Sequence, residues 1–202
     1  MNRFFRAPLP AVAALALALP ALADAKGEAI LKEVELRAKK IETYSADLKV
    51  RNNGRPETAT VAIHLPGKIY FTFTDSSKAG SIVVNDGKTH AVQDGKTMPM
   101  PAAAIPDFKA NLWNIFTGNA RALVGEFKEA RFVTQKLIDD VTVLDVIDVV
   151  GSKATVRLYI DGNSFVRRLT SNEKSPARVM DFTFVNLKID EPIPDDRFKL
   201  PK

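Results

Sequence analysis

Residues 59–74, Ala59-Thr60-Val61-Ala62-Ile63-His64-Leu65-Pro66-Gly67-Lys68-Ile69-Tyr70-Phe71-Thr72-Phe73-Thr74, hold two alternating runs broken by one turn signal. Ala59, Val61, Ile63 and Leu65 share one face of the first run, and Ile69, Phe71 and Phe73 share one face of the second. A period of two is the mark of a strand, because successive side chains leave the pleat on opposite sides. Pro66-Gly67 turns the chain between the runs. The stretch predicts a hairpin with one apolar face, the building unit of an antiparallel sheet that covers a core on one side only.

The same pattern extends in both directions. Upstream, Leu48 and Val50 alternate with Lys49 and Arg51 and lead into the turn Asn52-Asn53-Gly54. Downstream, short strands over Ser81–Val84 and Thr89–Val92 flank Asn85-Asp86-Gly87-Lys88, and Asp94-Gly95-Lys96 turns the chain again. The C-terminal half predicts strands near Phe132–Leu137, Val141–Val150, Ala154–Ile160, Phe165–Ser171 and Val179–Ile189, with turns at Gly151-Ser152, Asp161-Gly162-Asn163 and 172–176. An amphipathic helix is expected from Lys26 to Tyr44, its stripe formed by Ile30, Leu31, Val34, Ala38 and Ile41. Pro99, Pro101 and Pro106 make Met98–Pro106 a loop. Phe108, Leu112, Ile115 and Phe116 then recur at helical spacing, with Asp107 as cap and Gly118 as stop, and Ala120, Leu123, Val124 and Phe127 suggest a second short helix. The fold class is mostly β (α+β): about ten to eleven antiparallel strands that curl into an open barrel or split into a sandwich, with helices over the concave face.

Arg3 and Arg6 precede an apolar run over Ala7–Leu19, followed by Pro20, which should end a helical run, and by Ala21-Leu22-Ala23. Positive start, apolar stretch and small-x-small ending are the features of a cleavable export signal. Residues 1–23 are therefore expected to be a signal peptide and 24–202 a single mature domain, which begins at Asp24. The apolar run is shorter than the roughly 18–20 residues that span a bilayer. With no cysteine in the chain, disulfides, thiolate metal sites, a cysteine nucleophile and a lipid-accepting cysteine are excluded. The formal charge of +5 falls to +3 without the two arginines of residues 1–23. That diffuse excess argues against nucleic acid as a partner.

Nothing in the sequence assembles a catalytic centre. His64 and His90 are the only histidines and lack the spacing that puts two metal ligands on one helix face. No serine sits in a nucleophile elbow. Asp139-Asp140 and Asp195-Asp196 are chain neighbours, which point to opposite faces of a strand. The reading is a binding protein, not an enzyme, with no cofactor and no metal. Surplus apolar bulk marks the candidate site: sheet residues Val61, Ile63, Ile69, Phe71 and Phe73 beneath a cover of Met98, Met100, Phe108, Leu112, Trp113 and Phe116. Periodicity alone leaves two roles open for that cover, a movable lid over an apolar ligand or a fixed plug.

Several segments, in order, resemble the LolA-like outer-membrane lipoprotein carrier proteins. Residues 30–48 are similar to the family's first helix and first strand, 66–73 to its proline-then-aromatic strand, and 83–89 to its Asp-Gly-Lys turn. Asp181–Ile189 followed by Ile193-Pro194-Asp195-Asp196-Arg197-Phe198 is similar to its ending. The resemblance covers nearly all of the mature chain. It implies a half-open antiparallel β-barrel closed by helices, and a monomeric periplasmic carrier for acylated lipoproteins or lipids. It also implies an inner-membrane ABC-type release complex or other lipid transporter as donor and an outer-membrane acceptor as receiver, and it favours the lid over the plug. Where family members carry a lid-closing arginine just before the strand proline, this chain has Leu65. That departure points to another latch or to a different apolar cargo, such as a glycolipid or sterol-like lipid, carried or sensed for a membrane partner.

Overall fold

The computed structural model describes residues 11–65, 67–74, 80–85, 88–93, 96–99, 113–138, 142–174 and 177–199; for 11–23, 80–85, 88–93, 96–99 and 177 it describes the backbone alone. Helix α1 spans Ala11–Ala38. A first meander follows: β1 (Thr43–Asn52), β2 (Arg55–His64), β3 (Lys68–Phe73), β4 (Gly80–Asn85), β5 (Lys88–Gln93) and β6 (Lys96–Pro99). Helix α2, described over 113–117, and α3 (Ala120–Leu123) lead into a second meander. It comprises β7 (Phe127–Ile138), β8 (Thr142–Gly151), β9 (Ala154–Ile160), β10 (Val166–Lys174) and β11 (Ala177–Ile189). A 3₁₀ turn, Asp195–Phe198, follows.

All eleven strands form one antiparallel sheet in the order β6-β5-β4-β3-β2-β1-β11-β10-β9-β8-β7. The meanders join at the centre, where β1 pairs with β11 and sets Leu48 opposite Phe184 and Val50 opposite Phe182. Strands lie about 4.8 Å apart, so a flat sheet of this width would measure roughly 48 Å across. One continuous core nevertheless joins Phe71 of β3 to Ile147 of β8 and to Leu31 and Val34 of α1. The sheet must curl around its helices to bring these together. It stays unclosed, with β6 and β7 as its edges, and the architecture is the half-open barrel expected from the sequence.

Within α1, Gly27, Leu31, Val34 and Ala38 are buried, a stripe at spacings of four, three and four. Gly27 lets the helix touch edge strand β7 directly: a Cβ there would sit 2.5 Å from the Ala130 carbonyl oxygen and 2.7 Å from the Phe132 nitrogen. Glu28 then accepts the Ala130 N–H at 3.2 Å, so the helix supplies a partner to a donor the sheet leaves free. Arg121 of α3 ties the cover together by bonding Glu28 at 2.6 Å and Glu35 at 2.8 Å.

Some sequence expectations need correction. The helix ends at Ala38, not Tyr44. Tyr44, Ala46, Leu48 and Val50 are buried in alternation with Ser45, Asp47, Lys49 and Arg51, so the period of two takes over earlier than the apolar stripe suggested. Pro20 does not stop α1, which continues through it, although an interior proline removes one intrahelical donor and crowds the carbonyl four residues earlier. Leu65 is in the turn, 37% exposed, and not on the buried face of β2. Met98 and Pro99 belong to β6, not to a loop; an edge strand tolerates a proline because one side has no ladder to lose. The turn at Asn53-Gly54 matches its signal, with φ of 48° and 83°.

Candidate ligand site on the concave face

The hairpin that opened the sequence reading forms one wall of the concave face. Register sets Val61 opposite Phe71, Ile63 opposite Ile69 and Ala59 opposite Phe73. Val61, Ile63, Ile69 and Phe71 are buried, while Phe73 is half-buried and meets Phe71 edge-on with ring centroids 5.1 Å apart. From above, α2 inserts Phe116, which is 2% exposed. Its ring stacks on Tyr44 at 5.8 Å and on Phe71 at 6.4 Å, and meets Phe184 edge-on at 6.2 Å. Trp113 lies near one turn earlier and is half-buried.

Beside Trp113 a cavity of about 490 Å³ opens between α2 and the end of α1, lined also by Glu35, Ala38, Lys39, Leu65, Thr117 and Asn119. Leu65 thus lines the cavity mouth, held by the Leu65 N–H donating to the Glu42 carbonyl at 2.9 Å. Local bonds shape α2: the Thr117 hydroxyl donates to the Trp113 carbonyl at 2.7 Å, and Asn119 Nδ2 donates to Asn114 Oδ1 at 3.0 Å. Gly118 ends α2 with φ of 71°, and a Cβ there would overlap Val166. Met100, Phe108 and Leu112 lie outside the described residues, and for Met98 only its place in β6 is described.

Sequence reading missed Tyr44 and Phe184, which complete the aromatic floor with Phe71. The signal was present: Met180, Phe182 and Phe184 alternate along β11, and Tyr44 starts the alternation of β1. Which strand would lie beside β1 was the missing fact, since its partner is more than a hundred residues away. Burial pushes the Tyr44 hydroxyl's ionisation far above the usual phenol range, with Arg167 pulling weakly the other way. That hydroxyl has no hydrogen-bond partner among the described residues. Tyr44 and Phe116 both line a small void of about 10 Å³.

A larger groove, about 940 Å³, lies on the opposite face between β1, β2 and the tail Glu191–Arg197. Ser45, Asp47, Thr60, Lys188 and Arg197 give it a polar, charged lining. The concave side is the better site for an apolar ligand, because there the aromatic surface of Tyr44, Phe71, Phe116 and Phe184 lies close to the cavity at Trp113. Among the described residues no three His, Cys, Asp or Glu side chains gather as a metal site, and no helix is long and apolar enough to cross a membrane.

No family model and no curated protein matches the chain in sequence. In structure it is similar to MucB, with a TM-score of 0.59 and 14% identity over 87% of this chain and 63% of MucB. The fold is shared. The Pseudomonas aeruginosa MucA/MucB complex matches at TM-score 0.55 and 13% identity, over 87% of this chain and 61% of that one. LprF from Mycobacterium bovis gives 0.55 and 13% over 87% of this chain and 97% of its own. The Mycobacterium tuberculosis lipoprotein LppX gives 0.53 and 15% over 83% and 98%. The chain spans less than two thirds of MucB but nearly the full length of LprF and LppX.

Proposed function

We propose that the protein is a periplasmic carrier that shields acyl chains of lipoproteins or lipids on its concave face, receiving them at the inner membrane and delivering them to an acceptor at the outer membrane. The observation that carries this reading is the cover of that face. The aromatic floor of Tyr44, Phe71 and Phe184 is closed by Phe116 from α2, beside an open cavity of about 490 Å³. In proteins such a helix is held mainly by the packing of its apolar side rather than by helix propensity. An acyl chain that takes Phe116's place recovers that burial at about 0.8 kcal/mol per CH₂. Lid and plug are then two states of one element.

Residues 1–23, read as a cleavable export signal, support the periplasmic setting. A second reading, a lipid-binding domain that regulates a partner protein, is favoured by the likeness to MucB, which has been solved in complex with MucA. Leu65 at the cavity mouth, in place of a lid-closing arginine, suits either an altered latch or a different lipid.

Native mass spectrometry of the protein purified without detergent from its own cell envelope tests the carrier reading. A co-purifying acylated molecule is expected. An empty protein that also fails to bind acyl probes would rule out carrier and sensor together.

A further inference from the structure

The Tyr44 side chain is 2% exposed, and its hydroxyl finds no hydrogen-bond partner among the described residues. Leaving a buried polar group unsatisfied costs roughly 1–3 kcal/mol, so such a group calls for an explanation. Tyr44 lines a small void whose walls are mostly apolar, Phe116 among them, and Arg37 and Ser164 also line it. Thr117 lines it too, and its hydroxyl donates to the Trp113 carbonyl.

The Ser164 side of this void is rigidly built. Asp161 is buried, and its carboxylate accepts the backbone N–H groups of Asn163 and Phe165 at 3.0 Å each and Arg167 Nε at 2.7 Å. Those bonds hold Ser164 at a φ of 63°, a left-handed conformation that a serine adopts only when its surroundings impose it. Across the void, the Arg37 guanidinium lies 4.7 Å from the Phe165 ring centroid. An apolar pocket with a few converging polar groups is the form of a site that orients one polar end of an apolar ligand.

We propose that Tyr44 is the residue that fixes the polar end of the cargo, donating its hydroxyl to the acyl carbonyl oxygen when the chain displaces Phe116. The inference rests on the carrier reading and adds to it the part of the ligand that is recognised. The hydroxyl stays protonated at any working pH, because burial suppresses its ionisation, so it is always available as a donor. The carbonyl belongs either to an ester or to a free carboxylate. Arg37 separates the two, since its charge assists only the second.

Three fluorescent probes test this with the full chain: cis-parinaric acid, its methyl ester, and diphenylhexatriene, which has no oxygen. Tyr44→Phe keeps the ring and its stacking. It should weaken the acid and the ester about five- to tenfold, the value of one buried hydrogen bond, and leave diphenylhexatriene unchanged. Its unliganded melting temperature should not fall, because the orphan hydroxyl has been removed. Arg37→Gln should weaken the acid alone if the cargo enters as a carboxylate, and neither probe if it enters as an ester. A Tyr44→Phe protein that binds all three probes like wild type, as expected if the hydroxyl serves only a buried water, overturns the proposal. Equal loss of all three does so as well. Wild-type protein that binds none of them overturns the carrier reading along with it.

Discussion

The Phe116 ring lies stacked on Tyr44, 5.8 Å between centroids and 26° between planes, so one side chain of the cover rests directly on the floor of the concave face. The contact bridges the two meanders, because Phe116 also touches Phe71 of β3 and Phe184 of β11. Stability and ligand access therefore depend on the same residue, and they should respond to mutation in opposite directions.

Phe116→Ala should lower unfolding free energy by about 3 kcal/mol, near the lower end for a buried phenylalanine, because the cover can settle into part of the space. Acyl-probe affinity should rise or hold, since the ligand no longer has to displace the ring. Urea denaturation and a fluorescence titration on the same preparation measure both. Affinity that falls in step with stability would mean Phe116 is permanent core.

Trp113→Glu should leave the melting temperature within a few degrees of wild type, because Trp113 is only half-buried, and should weaken acyl probes about tenfold or more by placing a charge at the cavity. Phe71→Glu would not make the same test. Phe71 lies inside the aromatic cluster, so its replacement would bury a charge and disturb the fold. Unchanged probe binding in Trp113→Glu would remove the tryptophan from the site.

How far the site could be read from the sequence follows from these residues. Alternation in 59–74 specified the wall formed by Val61, Ile63, Ile69 and Phe71, and Gly118 marked the end of α2, because both signals are local. Tyr44 and Phe184 were out of reach, since their meeting depends on β1 pairing with a strand some 140 residues away. Gly27 was equally silent. Nothing in its neighbours says that an edge strand will press against that side of the helix.

Gly27→Ala should destabilise the protein by about 1–3 kcal/mol even though alanine is the better helix former. The added Cβ would meet backbone atoms of Ala130 and Phe132, which cannot rotate away. Thermal unfolding decides the sign, and a rise in melting temperature would show that α1 can move off β7 freely.

Asp161→Ala should cost about 2–4 kcal/mol, because it strands two backbone donors and the Arg167 guanidinium at a buried turn. Amide exchange at Asn163, Phe165 and Arg167 should quicken together. Slow exchange retained at all three would show that the turn holds itself without the carboxylate.

The tail responds to acid. Lys68 bonds Asp195 at 2.8 Å and holds its carboxyl below the usual carboxylate range. A depressed pKa stabilises the folded state above the ordinary carboxylate value, and that stability is lost as pH falls through the lowered one. Asp195 is exposed, so the loss should be local: amide protection over 195–198, corrected for the slower intrinsic exchange in acid, should fall while β1 and β11 stay protected. Unchanged protection across that pH range would mean the ion pair does not anchor the tail.

Photolabelling with a diazirine-bearing fatty acyl probe, followed by peptide mass spectrometry, tests most directly whether the concave face holds the cargo. Label on Tyr44, Phe71, Trp113, Phe116 or Phe184, reduced by excess unlabelled acyl lipid, is the predicted result. Label confined to the opposite groove, on Asn186, Lys188 or Arg197, would contradict it.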